Sequence, residues 1–340
     1  MIDSATLDTA LATVLERHGP GVHGLVTENG EVVYQRSVGV ADLDSGRAIE
    51  PGEFFRIGSI TKVYVAALVL RLAQDGVLAL TDTVQQWLGD IVPGGDVMTV
   101  ETLLRLRSGL PDYVEPLFGT PPDISLAGHY WTPEHLVRVA LSAPDRWDPD
   151  TAYRYSNTDF ILLGLIVEAA TGERLDAQMQ QRIFEPLGLR DTILPAVDPV
   201  IRPPHPTGYL RFGADQGYLP SPDVSPSEAW TSGAIVATPR DLAAFFDRLI
   251  GGTVLAPEWL ARMLDGTQVI DQHRKRGLGI VRFEFQPGRV AYGHQGGVPG
   301  YTSVVARSTN GRCVVIYQNG IDMHAALSSD NEFTQAGLAL

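Results

Sequence analysis

Apolar residues at Leu7, Leu11, Val14 and Leu15 recur at helical spacing, so the pattern predicts a helix over 4–18, stopped by Gly19-Pro20. Two β-rich runs follow, 22–27 and 32–38, separated by Glu28-Asn29-Gly30, and Asn-Gly is a strong hairpin turn. A further turn falls at Asp44-Ser45-Gly46. The acidic residues around it do not fit a twelve-residue calcium loop, so the segment reads as a solvated hairpin turn. From Ser59 to Gly76 the apolar positions Val63, Ala66, Ala67, Leu70 and Leu72 describe a helix. Segments 99–107, 133–141, 157–170 and 173–184 carry the same period. Thr132-Pro133 and Thr238-Pro239 each place a capping residue before proline at the first helical position, and Thr238 with Asp241 makes a capping-box pattern. The pattern returns to strands at 279–285, 290–292, 302–306 and 313–317, and a helix closes the chain.

Strands at both ends with helices between them predict an α/β (α+β) protein. One antiparallel sheet is built from the two termini, flanked by N- and C-terminal helices, and a helical lobe is inserted in the middle. The implied division is 1–60 with 230–340 as the sheet domain and 61–229 as the mainly helical domain, with the active site in the cleft between them. At 340 residues and 44% hydrophobic the chain can bury a large core. Its charge of −14, from 26 basic and 40 acidic residues, opposes binding to nucleic acid or an anionic membrane. The partner expected is a small molecule or a short peptide. The longest apolar run, 63–70, is too short to span a bilayer. The N-terminus lacks the features of a secretory signal, which points to the cytoplasm, or to an exported protein whose leader is missing from this sequence. The single cysteine, Cys313, sits in an apolar strand pattern and reads as core.

Candidate chemistry begins at Gly58-Ser59-Ile60-Thr61-Lys62, a strand-to-helix junction. A hydroxyl needs a neighbouring base to become a nucleophile, and residues i and i+3 share a helix face, so Lys62 can lie against Ser59. The chain has only two lysines, Lys62 and Lys275, which gives the spacing weight. Next comes Tyr153-Arg154-Tyr155-Ser156-Asn157, just before an apolar helix that Ser156 and Asp159 can cap. A phenol near an ammonium has its anion stabilised, so Tyr155 is a candidate acid and base, and Asn157 can donate to a substrate amide. Third is Gly293-His294-Gln295-Gly296-Gly297, at the end of a strand. Glycines there allow close approach of a substrate, the amides of Ser59 and Gly297 can form an oxyanion hole, and His294 can orient or protonate reacting groups. Gln295 and Gly296 are candidate substrate contacts. Motifs for a P-loop, a dinucleotide site, a zinc metalloprotease helix and a Gly-x-Ser-x-Gly elbow are missing; no metal and no cofactor is assigned.

The order Ser59-x-x-Lys62, Tyr155-x-Asn157, His294-x-Gly296 resembles the serine penicillin-recognising superfamily, class C β-lactamases and Streptomyces-type D-Ala-D-Ala carboxypeptidases among them. The resemblance spans about residues 20–320 and includes Phe55-Arg56-Ile57-Gly58-Ser59 and Arg107-Ser108-Gly109-Leu110. It implies that Ser59 attacks a carbonyl to give an acyl-enzyme while Lys62 and Tyr155 share proton transfer, leaving open which of them is the acylation base. One departure matters. In the carboxypeptidases, hydroxyls of the third motif and an arginine on the preceding strand hold the substrate's carboxylate. Here Gln295 and Gly297 replace the hydroxyls, Val281 takes the arginine's place, and Arg282 points to the opposite face. The expectation is a serine hydrolase or acyltransferase acting on an ester, an amide or a D-residue peptide. Its alternatives are an exported D-Ala-D-Ala carboxypeptidase or β-lactamase, and a non-catalytic peptide- or penicillin-binding module.

Overall fold

Asp3 caps helix α1 (Ser4–His18), its carboxylate accepting the Ala5 amide at 3.1 Å. The computed structural model describes residues 3–120, 122–286, 288–324 and 332–338. Strands β1 (Gly21–Glu28) and β2 (Glu31–Gly39) follow as the predicted hairpin. Its turn has φ of 53° at Asn29 and 86° at Gly30, the pair of positive values a two-residue hairpin needs.

The chain then leaves the sheet. A short strand, Phe55–Arg56, ends in a 3-10 turn, Gly58–Ile60, which runs directly into α2 (Thr61–Gln74). Every residue from Thr61 to Leu70 is buried, so α2 is enclosed on all sides. Helices Val100–Leu104, Pro133–Ser142, α3 (Asn157–Thr171) and Leu175–Met179 come next. The last continues as a π-helical turn, Gln180–Phe184, where an α-helix is predicted. Then come α4 (Pro226–Gly233) and α5 (Pro239–Ile250). Thr238 accepts the Asp241 amide at 3.4 Å, yet Asp241 does not return the bond of a capping box. Its carboxylate instead accepts the Asp191 amide at 2.7 Å and the Thr192 hydroxyl at 3.1 Å, because a tertiary partner competes for it.

Strands β3 (Gln268–Val269), β4 (Arg274–Arg276), β5 (Val281–Gln286), β6 (Arg289–Val298), β7 (Tyr301–Ser308) and β8 (Arg312–Gln318), then a short strand outside the main sheet, Gly320–Asp322, and helix α6 (Glu332–Leu338), complete the described chain. The eight strands form one antiparallel sheet in the order β2-β1-β8-β7-β6-β5-β4-β3. Leu25 of β1 pairs with Val315 of β8, so the two ends of the chain meet inside the sheet, as the pattern predicts. Within the sheet, two features depart from the sequence reading. Strands β3 and β4 are too short to show an alternating pattern. And β6 runs straight through the glycine-rich motif, with Gly296 paired to Ser303 and Gly297 to Thr302.

One sheet face packs on α1 and α6 through Leu11, Val14, Val22, Val304, Ile316 and Phe333. The other carries α5, and α5 carries α2: Tyr64 stacks on Phe245 with ring centroids 3.6 Å apart. Fully burying such side chains is worth about 1.5–3 kcal/mol each, and it is this core that fixes where α2 begins. Among the described residues no helix is long and apolar enough to cross a membrane.

Candidate active site

The 3-10 turn sets the first contact. Its tighter winding brings residues i and i+3 into line, and Lys62 Nζ donates to Ser59 Oγ at 3.0 Å. Gly58, with φ of 54°, makes the turn possible; a Cβ there would sit 2.6 Å from the Gly297 amide nitrogen. The junction is thus pressed against β6, and Ser59 and Gly297 line one cavity.

Lys62 is fully buried and makes two further bonds, donating to Asn157 Oδ1 at 2.7 Å and to the Ser232 carbonyl at 2.6 Å. That carbonyl is presented by a break in α4, where Trp230 adopts φ 35° and ψ −113°. A non-glycine residue in this region costs on the order of 1–3 kcal/mol, a strain often found at functional sites. Burial lowers the Lys62 ammonium to about 7, against an opposing pull from Asp112. A neutral amine has two N–H bonds and one lone pair. With the N–H bonds directed at Asn157 and Ser232, the lone pair faces Ser59.

Tyr155 donates its phenol to Ser59 Oγ at 2.8 Å from the other side. Burial of that hydroxyl pushes it up to about 12, so it is a neutral phenol at ordinary pH. Asn157 opens α3 and donates Nδ2 to Asp112 Oδ2 at 2.8 Å. Asp112 is delivered by the 108–113 loop, which is tied to α3 at several points. Thr158 and Ser156 donate to the Pro111 carbonyl at 2.7 and 3.2 Å, and Ser108 donates to Asp159 at 2.5 Å. Ser156 and Asp159 therefore do not cap α3 as expected; they are spent on this loop.

The third motif behaves differently from its expected role. Arg276 Nη1 lies 3.0 Å from His294 Nε2, and an arginine can only donate, so Nε2 is an acceptor. The proton is then on Nδ1, which donates to the Gln295 carbonyl at 2.5 Å. Burial, with Arg276 and Lys62 adding to it, drives the imidazolium well down. His294 is a neutral ring with both nitrogens engaged; it is no proton donor to a substrate. Gln295 pairs with Val304, on the sheet face that packs against α1, and neither its side chain nor Gly296 lines the cavity. A Cβ on Gly296 would fall 1.9 Å from the Ile57 carbonyl, so that glycine serves close packing of β6 on the Ser59 junction.

Three participants escape the sequence reading. Arg276 pairs with Val281 across the β4–β5 ladder and is buried, its guanidinium also 3.3 Å from the Tyr153 hydroxyl. An arginine thus does reach the site, from one strand beyond the place that Val281 occupies. Asp112 and Ser232 arrive on a loop and a broken helix. The run Arg274-Lys275-Arg276 was the one available signal, and a three-residue strand gives it no readable face.

Over residues 7–338 the sequence matches the β-lactamase family. The chain belongs to that family. Among curated relatives, penicillin-binding protein 4 of Amycolatopsis lactamdurans is 28% identical over 330 residues, covering 87% of this chain and 82% of its own. Esterase EstB of Burkholderia gladioli is 34% identical over 215 residues, 58% of this chain and about half, 54%, of the esterase. A crystal structure of a D-stereospecific amidohydrolase from Streptomyces sp. superposes with a TM-score of 0.89 at 26% identity, covering 99% of both chains. This β-lactamase-family protein is a serine hydrolase by fold and family.

Proposed function

We propose that this chain hydrolyses esters and amides, those of D-residues included, through an acyl-enzyme on Ser59. One observation carries the reading: Ser59 Oγ lies between the buried Lys62 amine at 3.0 Å and the Tyr155 phenol at 2.8 Å. The placement of its two donors favours Lys62 as the acylation base; Tyr155, held near 12, is the poorer base and the better relay.

Neutral Lys62 takes the Ser59 proton as Oγ bonds to the substrate carbonyl carbon. The oxyanion that forms lies against the amides of Ser59 and Gly297. The C–N or C–O bond then breaks, and the leaving group takes a proton that Tyr155 passes on and recovers from Lys62. Water repeats the sequence: its proton goes to Lys62, its oxygen to the acyl carbon, and Ser59 is released with the acid. The penicillin-binding protein, esterase and amidohydrolase relatives support substrates of this class.

Fluorophosphonate labelling tests the reading. A stoichiometric adduct on Ser59, abolished by Ser59→Ala, is expected; labelling elsewhere, or none, overturns it. A second reading draws on Arg276, a buried guanidinium bonded to His294 beside the site, which would have to turn from His294 to hold the carboxylate of a C-terminal D-residue. Faster turnover of a D-Ala-D-Ala peptide than of its C-terminal amide would select it.

A further inference from the structure

The cavity beside Ser59 has a volume of about 590 Å³ and is largely apolar, with Val114, Phe118, Ile124, Val298, Ile321 and Met323 in its walls. Among the described residues no arginine, lysine or histidine lines it, and its ionisable groups are two carboxylates, Glu115 and Glu228, and the phenol of Tyr113. Glu115 is exposed and already accepts the Thr120 hydroxyl at 3.0 Å.

Glu228 is of another kind. It is 7% exposed; among the described residues no hydrogen bond reaches its carboxylate, whose oxygens keep some area open to the cavity. Its backbone is fixed, because the Tyr113 hydroxyl donates to the Glu228 carbonyl at 2.7 Å. The cation that acts on it, Arg56, is committed elsewhere, donating to the carbonyls of Pro199 and Val224 at 2.5 and 3.0 Å. A carboxylate in so confined a place, with no protein donor, is incompletely solvated, and a cationic partner in the cavity would offset that cost. Burial raises this one to about 7, with Asp112 adding to the rise and Arg56 opposing it. Arg276, the other buried arginine near the site, is bound to His294 and does not line the cavity.

We propose that Glu228 receives a cationic group on the acyl portion of the substrate, so that the enzyme prefers aminoacyl esters and amides bearing a free α-ammonium. The apolar walls take the amino acid's side chain, and Ser59, on the rim of the same cavity, meets its carbonyl. The proposal rests on the Ser59 acyl-enzyme reading and adds the substrate class to it.

The decisive comparison uses the methyl esters and amides of D- and L-phenylalanine against those of 3-phenylpropionic acid, which differ only by the ammonium. At pH 7.5 the wild type is expected to show at least about tenfold higher kcat/KM for one phenylalanine enantiomer than for the desamino compound, the scale of one buried charge-assisted bond. Glu228→Gln should shrink that ratio to within about threefold. In the wild type itself the ratio should also collapse toward pH 5, as the carboxylate protonates, and fall again above about 8 as the substrate amine loses its proton. This second measurement stands even where the variant fails to fold. A wild-type ratio near one, an unchanged ratio in Glu228→Gln, or no turnover of any phenylalanine derivative by an enzyme that labels at Ser59 overturns the proposal. Absence of Ser59 labelling would instead overturn the acyl-enzyme reading beneath it.

Discussion

The behaviour of Lys62 follows from counting its bonds. A charged ammonium there would have three donors for Ser59, Asn157 and Ser232, whereas the neutral amine keeps two and turns its lone pair to Ser59. Because only the neutral form accepts a proton, acylation measured as the burst rate with an activated ester should be half-maximal near pH 7. Below that it should fall about tenfold per pH unit. Lys62→Arg, which stays charged, should lose on the order of 10²–10⁴-fold in that rate. Asp112 supplies a second check. Its charge supports the ammonium, so Asp112→Asn should move the midpoint of the pH profile downward; an unmoved or raised midpoint would remove Asp112 from the site's electrostatics.

At the scale of elements, the site depends on how closely β6 lies on the turn before α2. Gly58 faces the Gly297 amide and Gly296 faces the Ile57 carbonyl, both at distances that admit no side chain. Gly296→Ala therefore has to push β6 away from the Ser59 junction by more than an ångström. We expect a loss of about 1–3 kcal/mol in urea denaturation and on the order of a hundredfold in kcat/KM, since misplacement by an ångström is enough for that. Wild-type activity in this variant would mean that the two elements are free to separate. The same close packing explains why β6 stays a paired strand through three glycines that by local preference belong in a turn.

For the molecule as a whole, the buried ionisable groups cost stability at neutral pH. Glu228 has a folded value near 7, above the 4.5 of an exposed glutamate, so its contribution is full below about 4.5 and lost as pH rises through 7. Lys62 has a folded value near 7, below 10.5, so its contribution is full above about 10.5 and lost as pH falls to 7. Both losses coincide near neutrality, where the enzyme is expected to work. Glu228→Gln removes one of them. Relative to wild type its Tm should rise by a few degrees between pH 5 and pH 8, corresponding to roughly 3 kcal/mol at about 1.4 kcal/mol per pH unit. A pH-independent difference by calorimetry would show that Glu228 is not buried in charged form.

The sequence by itself determined what local spacing and alternation encode. The α1 period, the Asn29-Gly30 hairpin, the sheet drawn from both chain ends and the Ser59–Lys62 pair depend on neighbours within a few residues, or on faces that show as a repeat. It also placed Tyr155 and Asn157 at the mouth of a helix, because an apolar run after a polar cluster announces one. Tertiary structure alone decided the rest. Arg276, Asp112, Ser232 and Glu228 meet the site only through strand order, a loop tied to α3 and a broken helix, and none of these leaves a period in the chain. His294 shows the difference most sharply: its residue type suggests proton transfer, but a donor-only arginine on another strand fixes it as a neutral acceptor. A side chain's identity sets which bonds it can make, and long-range packing sets which of them it does make.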